Sequence, residues 1–123
     1  MNEVIYIAGP ITGIRNYRDR FRRAEMDLEE DKFTPLNPAM LPEGMRPEQY
    51  MRICLAMVDS ADALILLPGW QNSRDAVIEA KYARYCGKPI VPYIPWETPA
   101  RRRLELGIAL DFELAKIRAQ KDK

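Results

Sequence analysis

Ala63-Leu64-Ile65-Leu66-Leu67, closed by Pro68-Gly69-Trp70, is the stretch from which the fold can be read. A short apolar run bounded by turn residues suits a strand buried on both faces, as strands are in parallel sheets. Val4-Ile5-Tyr6-Ile7-Ala8 is a run of the same kind and stops at Gly9-Pro10. Between the two, Tyr17, Phe21, Ala24 and Leu28 recur at helical spacing among Arg, Asp and Glu. This predicts an amphipathic helix capped by Asn16 and running to about Glu30. Phe33-Thr34-Pro35-Leu36 reads as a short second strand, whose proline favours an edge. Pro47 opens another helix, with Tyr50, Ile53, Cys54, Met57 and Val58 as its apolar stripe.

Beyond the central run, Gln71 to Arg74 opens a helix striped by Ala76, Ala80 and Ala83, with Gly87 as its C′ residue. Pro89 to Tyr93 reads as a fourth strand, and Ala100 to about Gln120 as one long helix. No fifth strand is visible after Tyr93. Strands alternating with helices imply right-handed crossovers and helices on both faces of a parallel sheet. The expectation is a single three-layer α/β domain over residues 1–123, Rossmann-like or flavodoxin-like. Its sheet would have four to five strands, ordered 2-1-3-4. Ligands in such sheets bind beyond the carboxyl ends of the strands, near the switch point between strands 1 and 3. That topology gathers Gly9 to Arg15, Asn37-Pro38 and Pro68 to Asp75.

Composition narrows the function. Nineteen Lys and Arg stand against 18 Asp and Glu, a net charge of +1, which argues against a nucleic-acid polymer as partner. Small anions remain open. No stretch approaches the roughly 18 to 20 apolar residues of a membrane span, and Met1-Asn2-Glu3 leads straight into a strand-like run without a signal peptide's segments. No membrane partner and a cytoplasmic location are expected. Cys54 and Cys86 form no CxxC pair, so two buried thiols and no metal are expected. Neither GxGxxG nor GxxxxGK[ST] occurs, which removes two nucleotide fingerprints, and no cofactor is expected. The chain has no histidine. Nucleophilic schemes that need a histidine base are therefore excluded, leaving carboxylates, tyrosine, lysine and backbone groups.

Several residues at the expected edge admit two readings. Gly9, ahead of Pro10 and Ile11, either makes a tight turn or lets the backbone approach a ligand. Trp70, after Gly69, either walls a base or sugar pocket or folds over its own loop. Ser73 either caps the helix or, with Arg74 and the first N–H groups, holds a phosphate. Glu79 lies in the second turn, leans toward the helix N-terminus and flanks the alanine stripe. Asp75, four residues earlier, shares its side. The two are either ordinary acidic residues near a helix start, or a nucleophile and an acid whose pKa values a cleft would separate. Tyr6 is either core or the group that orients Glu79.

Taken in order, these segments resemble the nucleoside 2-deoxyribosyltransferase superfamily. The resemblance lies in Tyr6-Ile7-Ala8-Gly9-Pro10, Asn37-Pro38-Ala39, Asp62 through Trp70, and Ser73-Arg74-Asp75-Ala76-Val77-Ile78-Glu79. It covers most of residues 4–93 and is nearest to a largely uncharacterised bacterial and phage branch. The resemblance implies that Glu79 attacks the anomeric carbon and Tyr6 positions it, as in a retaining glycosidase with a carboxylate nucleophile. Ser73 stands where the superfamily's nucleotide N-hydrolases use serine for the 5′-phosphate, which favours a nucleoside monophosphate. Three positions depart from the pattern. Asp75 replaces a usual glycine, Cys54 stands where the hydrolases carry a catalytic aspartate, and Pro68-Gly69 replaces the transferases' Asp-Gly.

The leading expectation is an N-glycosidase acting on a (deoxy)nucleoside 5′-monophosphate. The alternatives are base exchange by a deoxyribosyltransferase, a non-catalytic nucleotide-binding module, and an interaction domain that uses the Trp70 loop. The resemblance also implies a homo-oligomer, a dimer or higher, and apolar residues on both sides of the last helix (Leu104, Leu106, Ile108, Leu110, Phe112 and Leu114) agree with a second packing surface.

Overall fold

The two apolar runs lie side by side at the centre of a parallel sheet, as burial on both faces requires. The computed structural model describes residues 2–121, with side chains through Asp111. The chain runs β1 (Val4–Ala8), α1 (Tyr17–Glu30), β2 (Thr34–Leu36), α2 (Pro47–Ser60), β3 (Ala63–Leu66), α3 (Arg74–Tyr85), β4 (Ile90–Pro92) and α4 (Pro99–Lys121). Single 3-10 turns at Pro38–Met40 and Trp70–Asn72 precede α2 and α3. All strand pairs are parallel and the order is β2-β1-β3-β4. The architecture is a Rossmann-like or flavodoxin-like α/β fold with four strands among the described residues.

Strand side chains alternate between faces, so the centre of the sheet feeds two cores. Ile5, Ile7 and Ile65 pack with Phe21, Ala24 and Leu28 of α1 and Leu106 of α4. Tyr6, Ala8 and Leu64 pack on the other face with Cys54 and Val58 of α2 and Ala80 and Ala83 of α3. The alanines let α3 sit close to the sheet. Pro35 sits opposite Ile5 in the edge strand β2, where its missing N–H costs least. At the carboxyl edge the chain from β1 crosses the chain from β3. A Cβ on Gly9 would stand 2.8 Å from Leu67 Cβ, so only glycine fits this crossing.

Two expectations are corrected. Asn16 makes no side-chain cap to α1; its φ of −115° and ψ of 37° lie outside the extended region from which a capping side chain reaches the first N–H groups. Cys86 is exposed, because it ends α3 at the C-cap, beyond the buried alanine stripe.

The last helix is anchored by charge as well as by Leu106. Arg102 Nε donates to Asp31 Oδ2 at 2.6 Å, and Arg103 Nη1 to Oδ1 at 3.2 Å. Asp31 and Arg102 are both buried, and Tyr93 Oη donates to the adjacent Asp27 Oδ2 at 2.6 Å. Removing one partner of such a pair strands a buried charge and costs about 3–5 kcal/mol. Arg102→Ala is therefore expected to lower the unfolding free energy from urea titration by an amount of that order. An unfolding free energy within about 0.5 kcal/mol of the wild type would show that the pair does not anchor α4.

Candidate active site

Tyr6 occupies the middle of β1, where both faces of the sheet are covered, and its ring is fully buried. A phenol in that position needs a partner, and finds one on α3: Oη donates to Glu79 Oε1 at 2.7 Å. Glu79 is where it is because α3 starts where it does. Ser73 has an extended backbone and its Oγ accepts from the Ala76 N–H at 3.2 Å, fixing the first turn. Glu79 then falls in the second turn, four residues beyond Asp75, and is 4% exposed.

Glu79 forms part of a cleft of about 540 Å³ at the carboxyl edge of the sheet. The loop after β1 supplies Gly9, Pro10 and Ile11, and the loop after β3 supplies Gly69. Ser73, Arg74 and Asp75 line the same cleft from the start of α3. Gly69 has φ +86°, a turn that favours glycine. The structure thus brings Gly9, Pro10, Ile11, Gly69, Ser73, Arg74, Asp75 and Glu79 together, with Tyr6 beneath Glu79.

Two predicted residues do not line the cleft. Trp70 packs half-buried against the core under α2 and α3 and is not part of the cleft lining. Asn37 is buried and fully engaged: Oδ1 accepts from the Ala39 N–H at 2.9 Å and Nδ2 donates to Glu25 Oε2 at 3.0 Å. It shapes the turn after β2, and the neighbouring Pro38 lines the cleft instead. Arg15 also lies outside the lining. Arg20 and Tyr50 do line the cleft but were not singled out from the sequence. Arg20 looks like any charged residue on an amphipathic helix. Tyr50 reads as a member of an apolar stripe, although its hydroxyl turns outward to the Pro38 carbonyl oxygen at 3.4 Å.

Burial dominates the electrostatics. It pushes the Glu79 carboxyl up to about 8, helped by the negative Asp75 and opposed by the Tyr6 hydrogen bond. Burial, then the Glu79 charge, pushes the Cys54 thiol up to about 11, with the Tyr6 and Tyr50 hydroxyls acting in the opposite direction. Burial likewise holds both of those phenols well above the usual tyrosine range. At neutral pH the fully buried Tyr6 and Cys54 and the cleft-lining Tyr50 are neutral donors around a carboxyl group that ionises late. Cys54, whose thiol keeps its proton at neutral pH, is fully buried and does not line the cleft. Among the described residues no cluster of three or more His, Cys, Asp or Glu is arranged to hold a metal.

A raised carboxyl pKa sets the sign of a stability effect. Folded Glu79 keeps its proton to about pH 8, whereas its usual value is 4.5. Between those limits the folded state binds the extra proton, so stability falls as pH rises, by about 1.4 kcal/mol per pH unit. Glu79→Gln keeps an acceptor for Tyr6 and cannot ionise. It is expected to match the wild type below pH 4.5 and to exceed it by about 2 kcal/mol or more above pH 8. Urea titrations at the two pH values check this, and a gap that does not widen with pH would contradict it.

Among curated proteins none matches the sequence. Among solved structures the chain is similar to the CMP N-glycosidase BcmB of Clostridium botulinum. The identity is 22%, over 73% of this chain and 70% of that one, with a TM-score of 0.57, a likeness that shows a shared fold. A family model described as a domain of unknown function, DUF4406, matches residues 3–92, and the chain belongs to that family.

Proposed function

We propose that this chain is an N-glycosidase of the nucleoside 2-deoxyribosyltransferase superfamily, cleaving the base–sugar bond of a (deoxy)nucleoside 5′-monophosphate. The observation that carries the reading is the buried Glu79, held by Tyr6 at 2.7 Å inside a cleft large enough for a small ligand. The activity of the structurally similar N-glycosidase agrees with it. Oε1 is occupied by Tyr6, which leaves Oε2 to attack. As the Oε2–C1′ bond forms, the C1′–N bond breaks and its electron pair leaves with the base, which takes a proton from solvent relayed through the Asp75 carboxylate. Water then attacks C1′, the Asp75 carboxylate accepts its proton and passes it back to solvent, and the C1′–Oε2 bond breaks to release sugar phosphate and the Glu79 carboxylate. Ser73, Arg74 and the first N–H groups of α3 receive the 5′-phosphate, with Arg20 on the facing wall.

The attacking form of Glu79 is the ionised one. At pH 7, one unit below its value of about 8, about a tenth of the free protein carries it. The protonated Cys54 in place of a carboxylate favours a second reading, in which the site binds nucleotides without cleaving them. Residues 1–123 act as one domain in either case. Leu104 and Ile108, one turn apart on α4, are exposed at 56% and 61% and would suit contact with a second copy, whereas Leu106 is buried in the core and Phe112 and Leu114 lie outside the described side chains.

Chromatography of a nucleotide and nucleoside panel incubated with the protein tests this reading. Base release is expected to need the 5′-phosphate, to rise with pH toward about 8, and to fall about a thousandfold or more in Glu79→Gln. Full activity in that variant removes Glu79 as nucleophile. Tight binding with no free base at any pH favours the binding module, and a requirement for an acceptor base marks a transferase.

A further inference from the structure

The catalytic cleft opens into a second chamber of about 280 Å³. Ile11, Thr12, Pro38, Pro47, Tyr50 and Asp75 line both spaces. The groups that line only one of them differ in chemistry. Ser73, Arg74 and Glu79 belong to the first, whereas Tyr17, Leu41, Glu43 and Met45 belong to the second. A ligand with its sugar over Glu79 and its phosphate at Ser73 can extend its base past Asp75, which lines both spaces, into the second chamber. Tyr17, Tyr50, Leu41 and Met45 give that chamber flat and apolar walls, which suit a planar ring.

Glu43 is the carboxylate that the second chamber does not share with the first; its side chain is 72% exposed and is held at one oxygen. Tyr17 Oη donates to its Oε1 at 2.8 Å, and Arg18 Nη2 stands 3.5 Å from the same oxygen. The Tyr17 proton is thereby committed, Arg18 lies outside the chamber lining, and Oε2 has no hydrogen-bond partner among the described residues. A carboxylate oxygen accepts hydrogen bonds and donates none. It pairs with an exocyclic amino group, as Glu and Asp do with cytosine N4, and it repels a carbonyl oxygen at the same ring position.

We propose that Glu43 is the base-selecting residue of this site, and that it favours nucleotides whose base carries an exocyclic amino group over their carbonyl counterparts. This inference rests on the N-glycosidase reading for the orientation of the ligand, and adds which bases the site takes. Cytosine against uracil, and adenine against hypoxanthine, are matched pairs that differ mainly in that group.

Calorimetric titration of Glu79→Gln protein with CMP, UMP, AMP and IMP, in ribose and 2′-deoxyribose forms, tests it without relying on turnover. The amino member of at least one pair is expected to bind about tenfold tighter or more. With Glu43→Gln added, whose amide both donates and accepts, the preference is expected to shrink to within about twofold while the phosphate contacts stay in place. Equal binding within both pairs, a preference for the carbonyl member, or a preference that survives Glu43→Gln would overturn the proposal. An amino preference without base release by the wild type sinks the glycosidase reading and leaves this one standing. Base release without the preference does the reverse, and no binding of any of the nucleotides counts against both.

Discussion

The hydrogen bond from Tyr6 to Glu79 is the constraint on which the rest of the site depends. It joins the middle of a central strand to the second turn of a helix, and both groups lie inside the protein. Each satisfies the other, as buried polar groups must be satisfied. For the bond to exist, β1 must hold the centre of the sheet, α3 must pack closely on its alanines, and Ser73 must start the helix in the right register. The same burial that makes the pair depend on its surroundings raises the Glu79 pKa to about 8. That loss of stability above pH 4.5 fits the pattern in which a working site is less stable than the scaffold that carries it.

The rest of the cleft follows from how chains leave a parallel sheet. Right-handed crossovers bring the loops after β1 and β3 to one edge, and close passage there depends on glycine. Gly9 passes against Leu67, where no Cβ fits, and Gly69 turns with positive φ near Pro10. The result is a division of labour along one groove. Buried, late-ionising groups lie beneath the middle, Ser73 and Arg74 line one end, and aromatic and apolar walls with Glu43 line the other. Asp75 stands at the junction of the two chambers, beside the bond that the proposed reaction breaks.

Much of this was legible in the chain because the signals were periodic. Ala63 to Leu67 and Val4 to Ala8 announced buried parallel strands, and the strand order and edge position of the site followed from topology. Glu79 was reachable by counting residues from Ser73, since helix geometry fixes its direction. The misplaced residues carry signals that serve two masters. Asn37 sits before a proline where its side chain closes a local turn, which is what it does here, so its place at the edge did not make it a cleft residue. Trp70 is amphipathic enough to cover a core or to face a ligand, and only packing decides between them. Cys86 follows the last buried alanine by three residues, yet the helix ends there. The second chamber was not legible at all. Its walls come from a Pro- and Gly-rich loop without periodicity, together with Tyr17 and Tyr50, which the helical pattern assigned to packing.

The proposed reaction requires a covalent bond from Glu79 to the sugar. The most direct measurement is peptide mass spectrometry of the protein after incubation with a 2′-fluoro nucleotide, whose fluorine slows breakdown of a glycosyl intermediate. The account predicts a sugar-phosphate adduct on the peptide that carries Glu79, and specifically on that side chain. Base released in stoichiometric amount while Glu79 stays unmodified would contradict it.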